Sequence, residues 1–323
     1  MSAPHSIVFL DRDSVIAHIR RPAFEHRWTE YPATRAGEAV ARLRDAGASI
    51  AITNKVPLRA ADLDQLPELK MIAVAATGTD IVDLAACRER GIVVSNIRNY
   101  AVHTLPEHTF ALILALRRQI VAYRADIEAG LWQKSERFCL FGHPISDLAG
   151  SRLGLLGYGA LGRSVAQIAR AFGMEVIVHT RSPLADAAGD GVREASFDEV
   201  LETSDILSLH LPLTPQTREL IGASQLIRMK RNALLINTAR GGLVDETALA
   251  DALRSGLIAG AGFDVLVQEP PPADNVLLNL RLPNFILTPH SAWASSQAMQ
   301  VLVDQLIDNV EAWVAGAPRN VVA

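Results

Sequence analysis

Arg152-Leu153-Gly154-Leu155-Leu156-Gly157-Tyr158-Gly159-Ala160-Leu161-Gly162 is the stretch that decides the fold. Arg152–Leu156 reads as a strand, it runs straight into a G-x-G-x-x-G turn, and Leu161–Phe172 beyond reads as a helix. Alone, the glycine pattern is a weak signal. Between a strand and a helix it is the setting that dinucleotide binding needs. Each glycine then has its own reason: Gly157 permits the tight turn, Gly159 lets backbone approach a pyrophosphate, and Gly162 lets helix pack on strand. The helix N-terminus at Ala160 and Leu161 offers unpaired N–H groups and a partial positive charge to phosphates. The plainer alternative is a tight turn that binds nothing.

The next strand, Met174–His179, should end at the residue that reads the adenosine ribose. An acid there suits the 2′-hydroxyl of NAD(H), and an arginine suits the 2′-phosphate of NADP(H). This strand ends in Thr180-Arg181, with no acid at the expected place. Arg181 can fork onto a phosphate, so the sequence favours NADP(H), with NAD(H) and a merely solvated Arg181 left open. Glu175 lies too early in the strand to serve.

Outward from this unit, short apolar runs alternate with helical patterns. Upstream, strands are expected at Ile7–Leu10, Ser49–Thr53, Leu69–Ala75 and Ile92–Ser95, with helices at Thr34–Ala46, Arg59–Leu66 and Asp83–Arg90. Downstream, Ile206–Leu211, Ala233–Asn237, Ala259–Val265 and Phe285–Leu287 read as strands, and Ser295–Ala315 as a last helix. Such alternation implies parallel sheets with helices on their faces. The fold class is therefore α/β, with two doubly wound parallel-sheet domains and a boundary near Asn99–Tyr100. Between the two series, His103–Gly130 reads as one long helix with too little polar face to lie on a surface.

A chain of 323 residues exceeds the usual size of one core. With 49% hydrophobic and 20% charged residues it suits a globular protein, and a net charge of −4 gives no reason to expect nucleic acid or an anionic membrane as partner. No apolar run has the length of a membrane span. The opening residues read as a first strand and not as a signal peptide. Cys87 and Cys139 are not spaced as a metal pair, which suits packing in a reducing cytoplasm. His103 and His108 are five apart on a helix, poor metal spacing, and read as packing or interface residues; no metal is expected.

Three residues follow strands beyond the glycine motif: Arg240 after Ala233–Asn237, Glu269 after Ala259–Val265, and His290 after Phe285–Leu287. In a doubly wound sheet, ligands bind beyond the carboxyl ends of strands, which would gather all three at one crevice. Their chemistry suits hydride transfer to a 2-keto acid. Arg240 can fork onto the carboxylate and the carbonyl. His290 can deliver the proton the oxygen needs and take it back in reverse. Glu269 can orient the imidazole and favour its charged form. Singly, each also reads as an ordinary solvated or satisfied residue.

Together with Ser208–Pro212, Ile236–Asp245 and Gly260–Pro270, these motifs resemble the D-isomer-specific 2-hydroxyacid dehydrogenase family over nearly the whole chain. The resemblance is greatest to its glycerate dehydrogenase (hydroxypyruvate reductase) branch, on Thr53-Asn54-Lys55, Val74–Asp80, His290–Ser295 and Pro318–Val322. It implies that Arg240 binds substrate, His290 is the acid/base and Glu269 its partner. It implies, too, that backbone N–H groups of Thr77 and Gly78 hold the substrate carboxylate, that Leu211, Pro212, Thr238 and Ala239 line the cofactor, and that Asp264 contacts the nicotinamide carboxamide. Asn54 and Trp293 are further candidates for the substrate pocket, each with a plainer packing or solvated reading. The implied architecture is a Rossmann-type nucleotide domain over 100–290 and a flavodoxin-like substrate domain in two pieces, 1–99 and 291–323, with a cleft between them. A homodimer through the nucleotide domain is also implied. The expected reaction is reduction of hydroxypyruvate or glyoxylate to the D-hydroxy acid. Another 2-keto acid such as 2-ketogluconate, or a cofactor-sensing protein without catalysis, are the rival readings.

Overall fold

Residues 4–181, 184 and 191–323 are described by the structure, a computed structural model. The chain divides into two units, Met1–Tyr100 with Ala294–Ala323, and Ala101–Trp293.

In the first unit five strands, β1 (His5–Phe9), β2 (His26–Glu30), β3 (Ile50–Thr53), β4 (Met71–Val74) and β5 (Val93–Ser95), form one parallel sheet in the order β2-β1-β3-β4-β5. That is the doubly wound order of flavodoxin-like sheets. Its central strands β3 and β4 are buried at every residue, as a sheet covered on both faces requires. Helices α1 (Ala39–Asp45), α2 (Ala60–Leu63) and α3 (Leu84–Glu89) cross between strands. The sequence reading had no strand at β2. The reason is its position: an edge strand with two exposed and three half-buried residues, His-Arg-Trp-Thr-Glu, carries no apolar run. Helix α1 starts later than Thr34, because the Thr34 hydroxyl bonds to the Leu10 carbonyl and Gly37 takes a left-handed φ of +85°.

The second unit begins with α4 (Thr104–Arg117) and α5 (Ile120–Glu128). One continuous helix was expected over His103–Gly130. Two are found, because Gln119 adopts φ +55°, a left-handed conformation that ends a right-handed helix. The break separates two burial regimes. Helix α4 is buried on the sheet, whereas α5 and the segment after it expose Ile120, Val121, Trp132, Phe138 and Phe141. No described helix is long and apolar enough to cross a membrane.

Seven parallel strands follow: β6 (Arg152–Leu156), β7 (Glu175–His179), β8 (Arg193–Glu194), β9 (Ile206–Leu209), β10 (Leu234–Asn237), β11 (Gly260–Phe263) and β12 (Phe285–Leu287). Their order, β12-β11-β10-β9-β6-β7-β8, winds outward in both directions from β6. This is the Rossmann pattern, with the reversal between β6 and β9. Helices α6 (Ala160–Ala171), α7 (Phe197–Thr203), α8 (Ala223–Leu226) and α9 (Glu246–Arg254) are the crossovers. Side-chain caps start two of them: Ser196 accepts from Glu199 N, and Asp245 from Thr247 N and Ala248 N. Leu153, Leu155 and Leu156 of β6 are fully buried, each burial worth about 1.5–3 kcal/mol. Helix α4 lies close on β11 because that strand is Gly-Ala-Gly-Phe. A Cβ on Gly262 would come within 3.0 Å of the Leu112 Cβ.

The chain then returns to the first unit with α10 (Ser296–Val314), capped by Ser295 through Ala298 N. Asn309 of α10 donates to the Asn96 carbonyl at 3.0 Å, and Val321 bridges Ser95.

At the reversal point His210 follows β9. Its N–H donates to Leu156 O at 2.8 Å, and its Nε2 lies 2.9 Å from the Ser208 hydroxyl. Burial pushes its imidazole down from 6.5 to about 4, so the ring is neutral at pH 7. The unfolded chain takes up a proton near the ordinary value, which the fold refuses until lower pH. Stability is therefore lost as pH falls from about 6.5 toward 4. Melting temperatures at about pH 7.5 and 5 should differ more for the native chain than for His210→Asn; equal shifts would clear His210 of that role.

Candidate active site at the strand ends of the second unit

All strands of the second sheet run the same way, so every loop that follows one emerges at the same edge. That edge collects Gly157–Gly162 after β6, Thr180-Arg181 after β7, Leu211-Pro212 beyond β9, Thr238–Arg240 after β10, Asp264–Glu269 after β11 and Thr288–His290 after β12.

The three glycines of the motif meet different surroundings. Gly157 has φ +97°, and a Cβ there would stand 2.4 Å from the His210 carbonyl oxygen. A Cβ on Gly162 would stand 2.5 Å from the Gly157 oxygen. Both glycines are demanded by the fold itself. Gly159 is different: it is extended, caps α6, and a Cβ there would meet nothing within 4 Å. The protein needs no glycine at Gly159, and the cradle a Cβ would fill lies at a helix N-terminus, where a phosphate is favoured. The site thus fits a dinucleotide. Arg181 is exposed at the end of β7, while Glu175 starts that strand and pairs with Arg152 at 2.8 Å. Leu211 closes on the glycine turn, its Cδ2 3.1 Å from a Cβ built on Gly157.

Arg240 is half-buried and follows the β10 turn. Its Nη1 donates to its neighbour's carbonyl, Ala239 O, at 2.8 Å. Asn237, wholly buried at the end of an apolar strand, ties the turn together by donating to Arg240 O (2.9 Å) and accepting from Ala239 N (3.1 Å). Thr238 bonds through its hydroxyl to Thr109 of α4 at 3.1 Å. The adjoining Gly241 is overlain by the loop that carries Glu269: a Cβ on it would be 2.0 Å from the Leu266 carbonyl carbon. That loop is braced from within, Glu269 Oε1 accepting from Leu266 N (2.9 Å), and from α9, Glu246 accepting from Val267 N (2.7 Å).

Glu269 Oε2 lies 2.5 Å from Nδ1 of His290. The side chains are 32% and 26% exposed, enough for a small molecule to reach and too little for free rotation. His290 itself sits at φ +53°, a region that costs a side-chain-bearing residue roughly 1–3 kcal/mol. Its N–H donates to Asp264 O at 2.8 Å, which holds the residue to the end of β11. The structure thus brings Glu269 and His290 together and seats the Arg240 turn against the same loop.

The other candidates lie in the first unit or at its border. Thr77 and Gly78 follow β4, where Asn96 donates to Thr77 O (2.8 Å) and the Thr77 hydroxyl donates to Ile97 O (2.7 Å). Asn54 follows β3 and is 4% exposed, its N–H bound to the buried Asp11 carboxylate at 2.9 Å. Burial pushes Asp11 up, against the backbone N–H groups that it accepts. Trp293 is half-buried and closes the second unit. Sequence reasoning passed over Asn237 and Glu246, which brace loops of the second unit, and Asp11, which holds the Asn54 backbone in the first. A polar residue ending an apolar run was the available signal for Asn237 and Asp11; nothing in the sequence marked Glu246.

Residues 110–292 match the family model described as D-isomer specific 2-hydroxyacid dehydrogenase, NAD binding domain. The chain is 55% identical over 316 residues to a glycerate dehydrogenase of Methylorubrum extorquens, covering 98% of each. Among solved structures it resembles an acyclic imino acid reductase in complex with NADPH and D-Arg, with TM-score 0.84, 29% identity and coverage of 98% of this chain and 100% of that one. It also resembles the NAD-complexed D-isomer specific 2-hydroxyacid dehydrogenase of Lactobacillus delbrueckii ssp. bulgaricus, with TM-score 0.77, 25% identity and coverage of 98% and 100%. The chain belongs to the D-isomer-specific 2-hydroxyacid dehydrogenase family. It is an NAD(P)-dependent oxidoreductase that acts on small 2-keto and 2-hydroxy acids.

The glycine turn separates folding from binding. Gly162→Ala should destabilise the chain by about 1–3 kcal/mol through the clash it creates. Gly159→Ala should keep the native melting temperature and weaken dinucleotide affinity about tenfold or more in a fluorescence titration. Unchanged affinity in Gly159→Ala would remove the phosphate cradle from that position.

Proposed function

We propose that the chain reduces hydroxypyruvate, and glyoxylate beside it, to the D-2-hydroxy acid, with NADPH preferred to NADH. The observation that carries the reading is the Glu269–His290 pair on the loops after β11 and β12, next to the Arg240 turn after β10. The 55% identity to a glycerate dehydrogenase along almost the whole of both chains supports the choice of keto acid. Exposed Arg181 at the end of β7 supports the choice of cofactor: a guanidinium there pairs with a 2′-phosphate and offers nothing comparable to a 2′-hydroxyl.

The dinucleotide, when bound over Gly157–Gly162, supplies the hydride for reduction and accepts it for oxidation. The chain's residues do the rest. Arg240, its guanidinium steadied by Ala239 O, forks onto the substrate carboxylate and carbonyl oxygen and draws charge toward that oxygen. His290 Nδ1 is engaged by Glu269, which leaves Nε2 to hold the mobile proton. As the keto carbon gains hydride, Nε2 gives that proton to the carbonyl oxygen, which becomes the hydroxyl; the reverse reaction returns it. Glu269 fixes the ring's orientation and balances the charge it carries when protonated. The reading assigns the substrate carboxylate to the N–H groups of Thr77 and Gly78, the rest of the substrate to Asn54 and Trp293, and the cofactor's adenosine end to Thr180 and Arg181. Leu211, Pro212, Thr238, Ala239 and Asp264 complete the cofactor's surroundings.

Initial rates with hydroxypyruvate, glyoxylate, pyruvate and 2-ketogluconate, each with NADPH and with NADH, test both choices. The highest kcat/KM is expected for hydroxypyruvate with NADPH, and Arg181→Ala should erase the cofactor preference. A preference for NADH in the native chain would overturn the role of Arg181 alone. Highest efficiency with 2-ketogluconate or pyruvate would overturn the substrate.

A further inference from the structure

Asp264 directly follows β11, with a side chain only 1% exposed. Both its oxygens accept hydrogen bonds within the protein. Oδ2 accepts from Ala292 N at 2.8 Å; Oδ1 accepts from Ser291 N at 2.9 Å and from the Thr288 hydroxyl at 2.5 Å. Thr288 Oγ1 in turn lies 2.9 Å from Nε2 of His108 on α4, and that nitrogen is 3.6 Å from Asp264 Oδ1. A hydroxyl has one hydrogen to give. The carboxylate takes it, and the 3.4 Å approach of Thr288 Oγ1 to Phe263 O is too long to compete. The threonine oxygen can then only accept from the imidazole, so His108 must carry its proton on Nε2. The donors run in one direction: His108 to Thr288, Thr288 to Asp264, with Asp264 gripping the backbone on the far side of His290.

We infer that Thr288 and His108 are positioning residues for the reaction, holding the Asp264 carboxylate in the orientation that clasps residues 288–292 and thereby setting the place of the His290 ring. The inference rests on the reading of His290 as acid/base. Its physical ground is the left-handed φ of +53° at His290. A residue with a Cβ stays there only while its surroundings hold it. The clasp supplies Ser291 N and Ala292 N with an acceptor, and Asp264 O receives His290 N. If Oδ1 loses its threonine donor, only Ser291 N and Ala292 N still hold the carboxylate, the clasp loosens, and the strained residue can relax and shift the ring relative to Glu269. The imidazole of His108 is not in the reaction; it keeps the hydroxyl pointed the right way.

Thr288→Val removes the hydroxyl and keeps the shape. With hydroxypyruvate and NADPH its kcat should fall roughly 10- to 100-fold, the loss expected of a reacting group displaced by about an ångström. KM and NADPH affinity should stay within about threefold, and Thr288→Ser should recover most of the rate, because only the hydroxyl is asked for. His108→Gln, which can still donate, should retain more activity than His108→Leu. In the native protein, ¹⁵N spectra of the imidazoles should place the His108 proton on Nε2. Native kcat in Thr288→Val, equal losses in the valine and serine variants, or a His108 proton on Nδ1 would each overturn the inference; the spectrum decides it even if the valine variant does not fold. His290→Ala separates this from the reading beneath it. If that variant is inactive while Thr288→Val is fully active, only the positioning role falls. If His290→Ala itself turns over normally, the acid/base assignment falls.

Discussion

In a sheet whose strands all run parallel, every loop that follows a strand emerges at one edge, and the chemistry of the second unit depends on that constraint. Residues as far apart in sequence as Gly157 and His290 need no long connection to meet there. The reversal of strand order between β6 and β9 opens room at that edge, and the glycine turn fills it so tightly that Gly157 and Gly162 touch backbone. Only Gly159 looks onto open space. Two glycines of the motif are therefore demanded by the fold, and the third is left to the proposed phosphate cradle.

A second consequence is that the groups proposed to react are held by backbone more than by their own side chains. Gly241 lets the Leu266–Val267 backbone lie directly on the Arg240 turn. Glu269 bonds with one oxygen to its own loop and with the other to His290. His290 is kept in a costly backbone conformation by Asp264 on one side and Glu269 on the other. In the proposed mechanism, small displacements of these loops would move the proton donor relative to the substrate oxygen and so lower turnover.

Much of the second unit was legible in the sequence, because its central strands β6, β9, β10 and β11 are buried on both faces and its glycine motif stands between a strand and a helix; the two-residue edge strand β8, exposed throughout, was not. The Glu269–His290 contact was expected from their positions after neighbouring strands and from the family resemblance. What escaped the sequence has physical causes. Strand β2 is an edge strand with no apolar run, so periodicity could not mark it. The break between α4 and α5 hangs on one left-handed residue, Gln119, in an otherwise helix-forming stretch. The link from His108 through Thr288 to Asp264 joins residues 180 and 24 positions apart, and no spacing rule reaches that far. His108 read as a packing residue for the same reason.

The central claim is that His290 carries the proton in both directions. Turnover measured against pH, once as keto-acid reduction and once as hydroxy-acid oxidation, tests it most directly. Reduction needs the protonated ring, so its rate should fall as pH rises; oxidation needs the neutral ring, so its rate should fall as pH drops. The two profiles should be mirror images, and His290→Ala should abolish both limbs along with most of the rate. Profiles that bend the same way in both directions, or that survive unchanged in His290→Ala, would contradict the account.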